Sequence, residues 1–193
     1  MTDDSKTGKV LVLIDDANLY YASKKVGWDI AYEKFYQWLH ANFSVLDIYF
    51  FGGIISKKAF FDRHPKRTIL DFRKEKESRE DFFKFLRKMG YKVRPKEVAS
   101  LYDSTEAAFK RKCNVDVEIT ITALDQLDHY DELILCSGDG DFEKLLRYVK
   151  GKHKKATLIT HGSRCNWLLK LAANRVISFE EIKHEIEKKR GLP

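Results

Sequence analysis

Residues 132–151 read ELILCSGDGDFEKLLRYVKG, and the change of rhythm inside this stretch decides the fold. The first six residues, ELILCS, form a short apolar run of strand length, while DFEKLLRYVKG, 141–151, places its apolar residues at helical spacing. Between them Gly138 and Gly140 permit a close turn and positive backbone angles, and the turn carries two carboxylates, Asp139 and Asp141. A strand that turns directly into a helix is half of a βαβ unit.

Working outward, the same alternation recurs. KVLVLID, 9–15, is a branched apolar strand ending in acid, followed by a loop and then by a helix over AYEKFYQWLHANF, 31–43. SVLDIYFFGG, 44–53, reads as a second strand and ESREDFFKFLRKMG, 77–90, as a helix stopped by Gly90. YKVRPKEVASLYD, 91–103, reads as a broken strand or loop, because Pro95 cannot donate to a central ladder. VDVEITITALDQL, 115–127, fits both periods and stays open between strand and helix. KATLIT, 155–160, is a strand, a helix begins near Ser163 with Ser163 as its cap, RVISF makes a last short strand, and FEEIKHEIEKKRGLP is a charged terminal helix. This order predicts an α/β sandwich with a mostly parallel sheet: a polar tail at 1–8, one domain over 9–179, and the charged helix and tail at 180–193.

Composition narrows the function. Cys113, Cys136 and Cys165 sit in no zinc-type spacing and read as reduced thiols, no run approaches membrane-spanning length, and the expected compartment is the cytoplasm. The chain carries 36 Lys and Arg against 29 Asp and Glu, a net +7, which favours a polyanionic partner. Lys57, Lys58, Arg63, Lys66 and Arg67 fall in a segment of net +5, and Lys110, Arg111 and Lys112 are consecutive; both clusters are candidate phosphate contacts, and both also suit solvated faces. GxxxxGK[ST], GxGxxG and DxDxT are absent, which disfavours P-loop, dinucleotide and aspartyl-phosphatase chemistry.

In open α/β folds ligands gather beyond the carboxyl ends of the strands. If the strands at 9–15 and 132–137 are neighbours, Asp15 and Asp16 meet Asp139 and Asp141 there, and such crowding calls for a cation; Mg²⁺ suits carboxylate oxygens. Asp141 is equally read as the cap of the helix starting at Phe142, Asp16 as a turn residue, and Asn18 as a cap or an amide that orients phosphate. Ser137 is a further candidate for the turn or the cation site. Tyr20, Tyr21 and Trp28 suit base stacking, a core or a dimer surface, so a homodimer is among the assemblies the sequence allows.

IDDANLY at 14–20, KCNVDVEIT at 112–120 and LCSGDGDFEKLL at 135–146 together resemble the three signatures of the NYN domain, LabA-like branch, in the PIN-like nuclease superfamily. The resemblance implies a three-layer α/β/α fold with strand order 3-2-1-4-5 and resolves 115–127 as a helix. It implies metal-dependent cleavage of RNA phosphodiesters, with Asp15, Asp116, Asp139 and Asp141 as the acids of the motifs and Asn18 the nearby amide; the expected reading is that these four acids hold Mg²⁺ or Mn²⁺ and that the RNA is single-stranded or has unpaired regions. Three positions depart from the pattern: Asp16, where a small or polar residue is usual; Cys113, where glycine is common; and Thr122, where many members have a further acid. The alternative is a catalytically weak or inactive RNA-binding or assembly module of the same fold.

Overall fold

The computed structural model describes residues 8–105 and 108–188, and the side chains at 103, 108, 110–112 and 164 lie outside the description. The expected polar tail, except Gly8, and the last five residues of the charged tail therefore fall outside it. Strand β1, Val10–Asp15, is buried along its whole length. Its alternation sends Val10, Val12 and Ile14 into one core and Leu11 and Leu13 into another, as the pleat requires. Helices cover both faces. The first core is closed by α1 (Asp16–Val26), α2 (Tyr32–Asn42) and α4 (Ile69–Met89), and the second by α5 (Asp116–Asp125), α6 (Glu143–Gly151) and α7 (Trp167–Ala172).

The sheet also contains β2 (Val45–Ile55), β3 (Lys92–Asp103), β4 (Ala108–Lys112), β5 (Glu132–Cys136), β6 (Lys155–Thr160) and β7 (Arg175–Ser178), in the order β4-β3-β2-β1-β5-β6-β7. Only β4 runs antiparallel, against the far half of β3. The parallel strands alone, counted in chain order, give the expected 3-2-1-4-5 extended by the short final strand. β1 lies in parallel between β2 and β5, with Ile14 level with Cys136. The acid-tipped ends of the two expected neighbours are thus side by side.

Several local expectations are corrected. The loop after β1 is helix α1, capped by Asp15; its buried side is Leu19, Ala22 and Ser23, too small to announce an apolar stripe. Short helix α3, Lys57–Arg63, is capped by Ser56, and α4 starts eight residues before the expected 77 because Thr68 and Asp71 form a reciprocal capping box. β3 passes through Pro95 unbroken: that residue pairs with β2 on one side, while β4 joins the other side only from Ala99. The helix expected to begin near Ser163 begins at Trp167, where the Asn166 side chain accepts the Leu168 N–H. Over its described part the charged tail holds only the four-residue helix α8, Lys183–Ile186, whose Ile186 enters the first core. Among the described residues no helix is long and apolar enough to cross a membrane.

Candidate metal centre

Three distant segments deliver carboxylates to one point. Asp15 ends β1, Asp116 opens α5, and Asp139 and Asp141 lie on the turn between β5 and α6. Carboxylate oxygens of Asp116, Asp139 and Asp141 lie within 4.8 Å of one another. Asp15 is buried beside them, its Oδ1 accepting the Asn18 N–H at 3.1 Å and its Oδ2 the Ser137 hydroxyl at 3.0 Å.

The two turns are tied together by neutral polar groups. Asn18 Oδ1 accepts the Gly138 N–H at 2.8 Å, and Ser137 Oγ, besides donating to Asp15, accepts the Asp139 N–H at 3.2 Å. Asp139, not Asp141, caps the short 3-10 turn Gly140–Phe142 by accepting the Asp141 N–H at 3.0 Å; α6 then starts with no side-chain cap, so the capping reading of Asp141 is corrected. Neither Gly138 nor Gly140 takes a positive φ. Gly140 is needed for a different reason: a Cβ there would stand 2.5 Å from Asn166 Nδ2, whose residue starts α7. Asn114, not among the expected site residues, accepts the Asp116 N–H at 2.9 Å, an Asx turn that leads into α5, whose N-cap Val115 has no side-chain cap of its own.

This crowding is electrostatically uphill. Burial pushes Asp15 up to about 6, opposed by its two hydrogen bonds and reinforced by the charges of Asp116 and Asp139. Asp116 is also raised, first by desolvation and then by Asp139 and Asp141, against a lowering contribution from its bond to Asn114. Among the described residues no salt bridge reaches any of the four acids; the nearby Lys96 is engaged with Glu118 at 2.6 Å. All-oxygen ligands whose negative charge is offset only in part, by Lys96 acting on Asp116, fit a hard divalent cation, and Asp116, Asp139 and Asp141, with Asp15 adjoining, are the residues that would hold it.

Asp16 plays another part. It turns away from the cluster and pairs with Arg79 of α4, whose Nε also donates to the Gly53 carbonyl at 2.9 Å and whose guanidinium lies 4.5 Å from the centre of the Phe83 ring. Burial raises Asp16 while Arg79 opposes the rise. No local signal in the sequence joins residues 63 positions apart, so this pair was not foreseen. It depends on the Phe51-Gly52-Gly53 end of β2: a Cβ on Gly52 would meet Arg79 Nη2 at 2.7 Å. Gly52→Ala should therefore displace the guanidinium and cost about 1–3 kcal/mol of stability, measured as a lower melting temperature.

A cleft of about 880 Å³ opens over the centre. Asp15, Asp116 and Asp139 line it, as do Asp16, Asn18, Arg79, Tyr20 and Tyr21. The expected basic contacts do not converge here. Lys57, Lys58, Arg63, Lys66 and Arg67 are exposed on α3 and the loop behind it, none lines the cleft, and Lys58 is paired with Asp62 at 2.6 Å. Lys110, Arg111 and Lys112 belong to β4, and their side chains lie outside the described residues. Trp28 is 6% exposed and packs edge-on against His161, which makes it core. Thr122 turns its hydroxyl back to the Glu118 carbonyl at 2.8 Å, so it supplies no substitute for a further acid.

The NYN domain model matches residues 9–183. The chain belongs to the NYN domain family. Low amplitude and bright protein LabA of Synechococcus elongatus is 24% identical over 186 residues, covering 95% of this chain and 90% of LabA, in keeping with the LabA-like branch. Among solved structures, a protein of unknown function from Vibrio parahaemolyticus, VPA0982, superposes with a TM-score of 0.70 at 22% identity, covering 97% of this chain and all of its own. Membership gives the chain a PIN-like, nuclease-type domain with nucleic acid as its class of partner, and the acidic centre lies at the strand ends where the three NYN signatures meet.

Proposed function

We propose that this NYN domain is a divalent-metal-dependent ribonuclease that hydrolyses phosphodiester bonds in RNA that is single-stranded or locally unpaired. The observation that carries the reading is the convergence of Asp116, Asp139 and Asp141 within 4.8 Å beside buried Asp15, with Asp15, Asp116 and Asp139 lining a cleft of about 880 Å³. Bound there, Mg²⁺ or Mn²⁺ supplies Lewis-acid stabilisation of phosphoryl charge and makes water a better nucleophile. The chain's own residues set the geometry. Asn18 and Ser137 lock the two acid-bearing turns to one another, so the carboxylates are presented at fixed spacing without rearrangement at the moment of reaction. Arg79, held by Asp16 and the Gly53 carbonyl, also lines the cleft and carries guanidinium N–H groups of the kind that bind phosphate oxygens. In the balanced reaction water adds to phosphorus, one P–O ester bond breaks, and the products are a phosphate monoester and a hydroxyl.

The rival is an RNA-binding or assembly module with little catalysis, and the observation in its favour is that Thr122 brings no additional carboxylate. One experiment separates them. Protein stripped with EDTA is incubated with a labelled single-stranded RNA, with and without Mn²⁺ or Mg²⁺. Cleavage that returns only with the metal supports the nuclease; binding without cleavage under every metal condition supports the module.

A further inference from the structure

Two tyrosines stand unused in the cleft. Tyr20 and Tyr21 are 52% and 62% exposed, yet they belong to α1, the helix that starts from Asp15, and line the same cleft as Asp15, Asp116 and Asp139. The other aromatic side chains lining it, Tyr32 and Phe82, pack against Phe50 and each other and are only partly exposed. The helical rise separates Asp15 from Tyr20 and Tyr21 by about 8–9 Å along the axis, the scale of one or two nucleotides.

The pair is arranged as a floor and a wall. Its ring centroids are 5.6 Å apart and its planes meet at 74°, so the two faces cannot stack on the same side of one flat ligand. Lys24 Nζ lies 5.2 Å from the Tyr20 ring centre and covers one of its faces, which leaves the more exposed Tyr21 to present an open face. A planar, electron-rich surface beside a cation and one or two nucleotides from an acidic metal centre fits one chemical class: an unpaired nucleobase, with the adjoining phosphate near Lys24.

We infer that Tyr21, braced by Tyr20 and Lys24, forms a nucleobase subsite that stacks an unpaired base next to the phosphate at the acidic centre. The inference rests on the ribonuclease reading for its substrate and adds the element that distinguishes unpaired from paired RNA. A base in a duplex is stacked on both faces by its neighbours and cannot offer one to Tyr21.

The test is fluorescence anisotropy with a labelled single-stranded RNA 12-mer and with the same sequence as a blunt duplex, both in EDTA so that nothing is cleaved. Expected are tighter binding of the single strand, a loss of roughly tenfold in single-strand affinity for Tyr21→Ala, near wild-type affinity for Tyr21→Phe, which keeps the ring, and no change for the duplex. Thermal melts confirm that the variants are folded. Equal affinity of Tyr21→Ala and wild type for the single strand, equal loss in Tyr21→Phe, or no RNA binding by the wild type would overturn the subsite. Metal-dependent cleavage by the wild type is followed in parallel: if it persists while Tyr21→Ala binds normally, the subsite fails and the nuclease reading stands. If cleavage is absent while the single strand still binds through Tyr21, the subsite stands and the catalytic reading fails.

Discussion

Asp139→Asn is expected to lower metal-dependent RNA cleavage by at least about 10²–10³-fold, the loss seen when one fixed electrostatic contact to the reacting phosphate's surroundings is removed. The substitution is chosen because it spares the fold. An Asn oxygen still accepts the Asp141 N–H, and the Asp139 backbone N–H still reaches Ser137. Only the charge goes. In the metal-free protein that charge is a burden, since Asp139 raises the pKa of both Asp15 and Asp116. Asp139→Asn should therefore melt at a slightly higher temperature than wild type in EDTA while being almost inactive in Mn²⁺, a pairing that a simple folding defect does not produce. The pH dependence follows with its sign. The folded-state pKa of Asp15 is raised to about 6, so the folded metal-free protein holds a proton that the unfolded chain has released. Its stability falls as pH rises between about 4 and 6, and less so in Asp139→Asn. Activity assays and melts across that window check both halves.

Arg79→Ala is expected to cost about 3–5 kcal/mol, a drop of roughly 6–20 °C in melting temperature for a chain of this size. It leaves Asp16, buried with 8% of its surface exposed, without the guanidinium that offsets its burial, and removes the donor to the Gly53 carbonyl. It also takes away the cation lying against Phe83 and Phe82. With Arg79 gone the folded pKa of Asp16, already raised by burial, rises further, so the penalty is fully present above that folded pKa and shrinks as the pH falls through it toward the ordinary carboxylate range of about 4, where the unfolded chain also protonates. Adding Asp16→Asn to Arg79→Ala should recover part of the loss by removing the unpaired charge. Additive destabilisation instead would mean that packing of the Arg79 stem, not charge, is what the pair provides.

The sheet was legible because its central strands are unambiguous: VLVLID and ELILC are short, branched and bounded by turn chemistry, and nothing but a strand suits them. Periodicity left their adjacency open; the strand order implied by the NYN resemblance makes them neighbours, and Ile14 stands level with Cys136. Helix α1 was not legible, since its inward residues are Leu19, Ala22 and Ser23 and its most visible ones, Tyr20 and Tyr21, face outward. Pro95 misled because the objection to proline holds for strands paired on both sides, and β3 gains its second neighbour only four residues later. The acids of the centre could be named from three motifs. The role of Asp16 could not, because its partner Arg79 reaches it only through the packing of α4 on β2, and of the basic residues at 57–67 that seemed natural phosphate contacts none lines the cleft.

The central claim is that acids far apart in the chain form one cation site. Calorimetric titration of Mn²⁺ into EDTA-stripped and dialysed protein tests it most directly, with wild type, Asp116→Asn and Asp139→Asn compared under one set of conditions. The account predicts saturable binding to wild type and at least about tenfold weaker binding to either variant, each still folded. Binding that is equal in all three proteins, or absent from the wild type, would contradict it.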